Sequence, residues 1–374
     1  MSLVPASVAS LESYQAGRSV EEVKRIYGLR RVVKLASNEN PLGPSPLAVE
    51  AMKSVLGGLN IYPTGGLRLR EVLAREFDTK VGNVIAGSGS EGIMSNIFRT
   101  FLDDDDEVLT ADVTFIGFRL LAQSRGVAYR TVPLKDWRLD LTRMAEAVTS
   151  RTKIIYLANP NNPTGTIFTK QEFEAFYRHV PERVLIILDE AYFEYAKDNP
   201  RYPDSMHYRY DNVITLRTFS KAYGLAGARI GYGFAHEDLI GNLLKVKLPF
   251  EPSSVAEAAG VAAIADREFL HRTLEANARG MKRMVSELRG LGVETVPSEA
   301  NFAMTLWPSA EAAKRVNENL LRGGAIARPL GQFGAANGIR ITIGSDEENE
   351  ILIAAMRHAV AVEKTEAEEL SVCR

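Results

Sequence analysis

Cysteine is almost absent from this sequence. The one cysteine, Cys373, stands next to last among 374 residues. An internal disulfide is therefore excluded, which fits a reducing cytoplasm. The five histidines are scattered without the spacing of metal ligands, so no metal site is expected. No apolar run is long enough to span a bilayer. The first residues, "MSLVPASVAS", lack the basic start and long apolar core of a secretory signal. Neither sign of charge is in excess, and a net charge of −2 argues against a broad nucleic-acid or membrane surface. Internal repeats and low-complexity tracts are missing as well. What remains is an ordinary folded composition, 45% apolar and 25% charged. The length asks for one large domain and a smaller one.

The pattern along the chain supports that division. Up to about residue 45 the sequence is punctuated by Pro and Gly around one short helical pattern, "SVEEVKRIYG". From there to about 250, short apolar strands alternate with helical patterns. The strand candidates are "NVIAGS", "EVLTAD", "KIIYLANP", "VLIILDEAY", "NVITLRTFS" and "ARIGYGFA". Such alternation predicts a mostly parallel sheet flanked by helices. Beyond about 252 a long helical run to Leu288, two further strands and a last helix predict a smaller α+β domain. The expected division is residues 46–250 for the large domain. Residues 1–45 with 251–374 form the small one. The acidic run "DDDDE" at 103–107 is expected to be a solvated turn.

Ligands on open α/β sheets bind beyond the carboxyl ends of the strands, and four motifs fall there. "GSGSEG" at 87–92 follows a strand and opens a helix. It matches a dinucleotide fingerprint with Glu107 or Asp112 downstream, and equally a general phosphate cradle of glycines at a helix N-terminus. "NPNNPTG" at 159–165 is a rigid turn that offers Asn162 as a donor. Asp189 in "LDEAY" ends a very apolar strand, where a carboxylate is costly without a partner. It either caps or bridges within the fold, or it faces a cationic ring nitrogen. Lys221 lies in "RTFSKAYGLAGARIGYG" among the hydroxyls of Thr218 and Ser220, small residues, and Arg229. A phosphate cradle, a buried carboxylate, an asparagine and a lysine able to form a Schiff base are together what pyridoxal phosphate requires.

On these motifs the chain resembles the fold-type I, aspartate-aminotransferase-like enzymes, and within them the histidinol-phosphate aminotransferases. "SYQAGRSVEEVKRIYG", "VVKLASNENPLGPSP", "DEAYFEY", "SEANF" and "ARPLGQFGAANGIRITIG" follow that family's pattern in order. The resemblance implies that Lys221 carries the cofactor and shuttles the proton, while Asp189 pairs with the pyridine nitrogen. It implies that Asn162 and Tyr192 bond the ring oxygen and that Phe115 stacks on the ring. Gly89, Ser90, Glu91, Thr218, Ser220 and Arg229 would surround the cofactor phosphate, with Tyr62 reaching it from the second subunit of a homodimer. Arg340 would hold the acidic group of the substrate, with Arg328, Tyr14 and Asn40 nearby. The sequence departs from the family at Val113, where proline is usual, and after the first two residues of "YPTGG".

The implied reaction is amino transfer from L-histidinol phosphate to 2-oxoglutarate in histidine biosynthesis. Its nearest rival is an aromatic amino-acid aminotransferase. More remote are a nicotinamide-dependent dehydrogenase, resting on "GSGSEG", and a non-catalytic binding module.

Overall fold

The computed structural model describes residues 3–11, 17–208 and 210–372. Tyr14 and Cys373 lie outside the described residues. The strands, in chain order, are β1 (Val33–Lys34), β2 (Val84–Gly87), β3 (Glu107–Ala111), β4 (Ala128–Val132), β5 (Thr152–Ala158), β6 (Leu185–Asp189), β7 (Val213–Thr218) and β8 (Gly231–Phe234). Then come β9 (Glu294–Val296), β10 (Phe302–Leu306), β11 (Ala325–Ile326), β12 (Arg328–Pro329) and β13 (Gly338–Thr342). A seven-stranded sheet has the order β2-β8-β7-β6-β5-β3-β4. Only β8 runs against its neighbours. This is the fold-type I α/β architecture expected from the sequence.

The central strands β5 and β6 are buried almost throughout. Both faces of a parallel sheet are covered by helices, so its strands read as continuous apolar runs. The edge strand β4 escaped the sequence pattern for the complementary reason. Of "AYRTV" only Val132 is fully buried, and an edge strand carries little of the core.

A second body is built on the antiparallel sheet β12-β13-β10-β9. Its core includes Met284, Leu288, Val316, Leu320, Ile341 and Met356. The short strand β1 pairs with β11, tying the early chain to this body. The single helical run expected after Ser254 is two helices, Ser254–Ala265 and Arg267–Gly290. Asp266 divides them. Its carboxylate accepts from the Phe269 N–H at 3.2 Å and from the Ser45 hydroxyl at 2.6 Å. The first helix packs with the large body's core, through Ala256, Ala259 and Ala263. The second begins there at Leu270 and ends in the small body's core. Among the described residues no helix is long and apolar enough to cross a membrane.

The expected acidic turn is shorter than its sequence suggests. Asp103 to Asp106 form it, but Glu107 is buried at the start of β3 and accepts from Thr149 and Thr152 at 3.1 and 2.8 Å.

Behind the carboxyl ends of β6 and β7 lies a buried ion cluster. Arg217 is fully buried and pairs with Glu190 at 2.8 Å and Asp204 at 2.7 Å. Its guanidinium lies 3.3 Å from the Phe193 ring centroid. Burial alone would lower the Arg217 pKa, but the two carboxylates outweigh it and hold the group charged. Removing one partner of such a pair strands the other charge in the core. Arg217→Leu is therefore expected to destabilise the apoprotein by about 3–5 kcal/mol, read as a lower urea midpoint. An unchanged midpoint would show that the cluster does not hold these strand ends.

Candidate active site

The carboxyl ends of β2, β5, β6 and β7 open on one cavity of about 200 Å³. Most of the residues anticipated from sequence line it: Gly89, Ser90, Glu91, Phe115, Asn162, Asp189, Tyr192, Thr218, Ser220, Lys221 and Arg229. They come from six separate stretches of chain, and the sheet topology alone brings them together.

One end of the cavity is an anion cradle. Gly89 begins the helix Gly89–Phe101 with a φ of 79°, a left-handed conformation that glycine adopts without strain. The helix N-terminus presents unpaired N–H groups and a positive dipole end. Arg229 lies against it, since a Cβ on Gly89 would stand 3.0 Å from Arg229 Nη2. Arg229 itself has a φ of 52°, a sparsely populated conformation for a residue with a side chain. Gly231, at the start of β8, presses on the same turn. A Cβ there would lie 2.5 Å from the Ser90 nitrogen. The Thr218 hydroxyl bonds that of Ser220 at 3.0 Å.

The centre of the cavity holds Asp189 and Lys221. Asp189 is 5% exposed. Burial pushes its pKa up to about 6, against the pull of the Tyr156 hydroxyl, the Ala191 N–H and Lys221. Burial also pushes Lys221 down to about 8, helped by Arg340 and Arg229 and opposed by Glu39 and Asp189. Lys221 Nζ donates to the Ser37 carbonyl at 3.3 Å.

Tyr192 is held by Asn38, a residue that the sequence reading passed over. Asn38 Nδ2 donates to Tyr192 Oη at 2.8 Å. The backbone N–H of Asn38 donates to Thr342 Oγ1, whose proton then goes to Asn38 Oδ1 at 3.0 Å. That loop fixes the amide orientation, so Tyr192 accepts from Asn38 and keeps its own proton for the cavity. Tyr156 and Phe333 were passed over as well. A lone tyrosine in the apolar run "KIIYLA" was the available signal for Tyr156.

Beyond Asn162 lie the two arginines. Arg340 donates to Asn162 Oδ1 and, at 2.8 Å, to the Ala36 carbonyl. Arg328 faces Arg340 across the β12–β13 ladder. Both are buried, and their guanidinium carbons lie 5.8 and 5.7 Å from the Phe333 ring centroid.

Arg328 and Arg340 stand behind Asn162 rather than in the cavity lining, and Asn40 and Tyr62 are engaged elsewhere. Asn40 is fully engaged elsewhere, with the Ala222 carbonyl at 2.9 Å, the Thr273 hydroxyl at 3.1 Å and the Leu42 N–H at 2.9 Å. It anchors the loop before the helix Pro46–Val55. Tyr62 is 76% exposed and stacks on Phe250 at 4.3 Å, away from its own chain's cavity. The substitution of Val113 for proline is absorbed by packing. Val113 is buried beside Met304, Leu330 and Phe333. The next residue, Thr114, is pinned by a 2.8 Å bond to Asn161 Oδ1.

The dinucleotide reading of "GSGSEG" needs an acidic residue at the same end of the sheet. Glu107 sits at the opposite end, at the start of β3, and Asp112 Oδ1 accepts from the Leu134 N–H at 3.2 Å.

Residues 30–356 match the model of the aminotransferase class I and II family. The chain belongs to that family. It is 42% identical to histidinol-phosphate aminotransferase 1 of Nitrosococcus oceani, over 95% of this chain and 96% of the relative. Identity to the histidinol-phosphate aminotransferase of an Anaeromyxobacter species is 41%, over 95% of this chain and 98% of that one. Among solved structures, the Sinorhizobium meliloti histidinol-phosphate aminotransferase in complex with pyridoxal-5'-phosphate superposes with a TM-score of 0.89. That chain is 30% identical, with 97% of this chain and 98% of that one covered. The aminotransferase described here is a pyridoxal-phosphate-dependent transaminase.

Its residues fit that cofactor on geometry. The close approach that Gly89 and Gly231 permit sets the helix start beside Arg229, which suits an anionic phosphate. A carboxylate, an amine and an aromatic ring line the same cavity.

The depressed Lys221 pKa has a measurable sign. The amine is neutral above about pH 8 rather than only above the usual lysine value. Trace acetylation of the apoprotein, with peptide mapping, should show Lys221 labelling rise through that pH. Arg340→Gln removes a cation that favours the neutral amine and should move the midpoint upward. A midpoint at the ordinary lysine value would mean that water reaches Lys221 freely.

Proposed function

We propose that the enzyme transfers the amino group of L-histidinol phosphate to 2-oxoglutarate, giving imidazole acetol phosphate and L-glutamate, in histidine biosynthesis. The observation that carries the substrate is the buried Arg328–Arg340 pair on facing positions of β12 and β13. One arginine suits a carboxylate as a bidentate partner. Two guanidinium groups on facing positions suit a dianionic phosphate. The names of the relatives above point to the same substrate.

When bound, pyridoxal phosphate supplies an aldehyde for amines and a cationic ring that withdraws electrons from the substrate α-carbon. The chain's own groups do the rest. Lys221 Nζ, neutral through burial, accepts the α-proton, which an ammonium could not. Asp189 keeps the ring nitrogen protonated, and Tyr192 donates to the ring oxygen beside Asn162. Phe115 covers the ring face. The helix start at Gly89, Ser90 and Glu91, with Thr218, Ser220 and Arg229, holds the cofactor phosphate. Tyr14 joins Arg328 and Arg340 on the substrate phosphate.

Residues 46–250 with the helix Ser254–Ala265 hold the cofactor, and the remaining segments form the substrate-closing domain. The enzyme works in the cytoplasm as a homodimer. Support for the dimer comes from Leu56, Leu59, Ile61, Tyr62, Leu248 and Phe250, large apolar residues left exposed on one chain. Such exposure is uncharacteristic of a free surface when it is clustered.

Two experiments test these assignments. Arg328→Ala should lower kcat/KM for histidinol phosphate by about 2–4 kcal/mol of transition-state binding and much less for phenylalanine or glutamate. Equal losses on all three would favour the aromatic amino-acid aminotransferase instead. For the dimer, Lys221→Ala subunits mixed with impaired Tyr62→Ala subunits should regenerate one intact site per heterodimer. A mixture no better than either parent would show that Tyr62 does not cross the interface.

A further inference from the structure

We propose that Tyr156 is a positioning residue whose hydroxyl, fixed behind Asp189, sets the orientation of that carboxylate and its hold on a proton. The proposal rests on the reading of Asp189 as the partner of the cofactor ring nitrogen.

The geometry comes from the register of β5 and β6. Ala158 pairs with Asp189, and Tyr156 lies two residues earlier on the same face of β5. From there Tyr156 Oη donates to Asp189 Oδ2 at 2.7 Å, the length of a charge-assisted bond. The ring has no freedom to turn away. It is fully buried and stacks on Phe118 at 4.4 Å, and Phe118 in turn meets the edge of Phe98 at 5.2 Å. The other carboxylate oxygen, Oδ1, accepts from the Ala191 N–H at 3.2 Å. Each oxygen thus has one donor within the protein. Asp189 and Tyr156 both line the cavity.

Every charged or titratable group facing Asp189 bears on its proton affinity. Lys221 lowers it and Glu91 raises it. Tyr192 is close enough for its own titration to respond to Asp189. Tyr156 stays a donor throughout, because burial and Asp189 push its phenol pKa far up. With that bond in place the Asp189 carboxyl stands at about 6. Loss of a donor makes a buried carboxylate a stronger base. A proton shared between a ring nitrogen and Asp189 would then move toward Asp189, and the ring would lose its charge. Tyr156 therefore acts on the ring nitrogen through Asp189.

Tyr156→Phe keeps the ring and deletes the bond. In the holoenzyme carrying nitrogen-15-labelled cofactor, the ring-nitrogen signal should shift toward the unprotonated value. In the apoprotein, the carbon-13 signal of the Asp189 carboxyl should titrate at a higher pH than in the parent. Turnover should fall about 10- to 100-fold with KM nearly unchanged, the loss typical of a hydrogen bond to a charged group. In an Asp189→Asn background the same substitution should add little, because coupled residues are not additive. A fall in turnover with both signals unmoved, or fully additive losses, would reduce Tyr156 to packing and overturn the proposal. Should Tyr156→Phe fail to fold, difluorotyrosine at this position keeps the shape and donates more strongly. It should lower the Asp189 midpoint, and an unmoved midpoint would again overturn the proposal. If Asp189→Asn alone left turnover and the ring-nitrogen signal intact, the role of Asp189 would fail. The apoprotein titration would still decide what Tyr156 does to it.

Discussion

A carboxylate and an amine share one largely dry crevice at the end of a parallel sheet, and the rest of the structure answers to that constraint. An isolated ion in such surroundings shifts its pKa toward neutrality rather than bearing the full cost of desolvation. Asp189 and Lys221 both do so, in opposite directions. Lys221 benefits, because only the neutral amine can accept a proton or attack a carbonyl carbon. Asp189 must resist, because only the carboxylate can stabilise a cationic ring. Donors gather accordingly on Asp189, at Tyr156 and at the Ala191 N–H, while cations, Arg340 and Arg229, lie near Lys221.

Such tuning holds only if the groups stay within fractions of an ångström, and the face of the sheet turned away from the cavity supplies that rigidity. Side chains alternate along a strand. Asp189 and Thr218 turn to the cavity, and their chain neighbours Glu190 and Arg217 turn away from it, into the buried ion pair. The same strand ends carry a cavity-lining residue on one side and a buried salt bridge on the other. A site supported in this way on regular strands is better positioned than one on loops.

Much of this was legible in the sequence because the chemistry requires residue types that burial otherwise forbids. Lys221 among small residues, Asp189 after an apolar run and glycines before a helix are each costly without a purpose. The same contrast marked most of the strands. Residues were missed where a polar group looked ordinary. Tyr156 passed as one more large residue in a core strand, and its bond to Asp189 depends on the β5–β6 register, which no local pattern gives. Asn38 stood two residues from Asn40 in "SNENP", and composition cannot tell which asparagine bonds a cavity-lining side chain. The structure assigns Asn40 to a loop and Asn38 to Tyr192. The division of the helical run at Asp266 was hidden similarly, because its reason lies at Ser45, far away in the chain.

Positive charge gathers at two places around the cavity by different means. At the Gly89 end, an anion meets a helix N-terminus and one arginine, where backbone N–H groups carry much of the positive potential. That arrangement is cheap without a ligand, since water satisfies exposed N–H groups. Behind Asn162 the positive potential belongs to two side chains, Arg328 and Arg340, that face each other near the Phe333 ring. Full guanidinium charges cannot be withdrawn, so these two buried side chains need polar partners at all times. Arg340 is also the nearby cation that most favours a neutral Lys221. Arg340 thus both bonds Asn162 and lowers the proton affinity of Lys221.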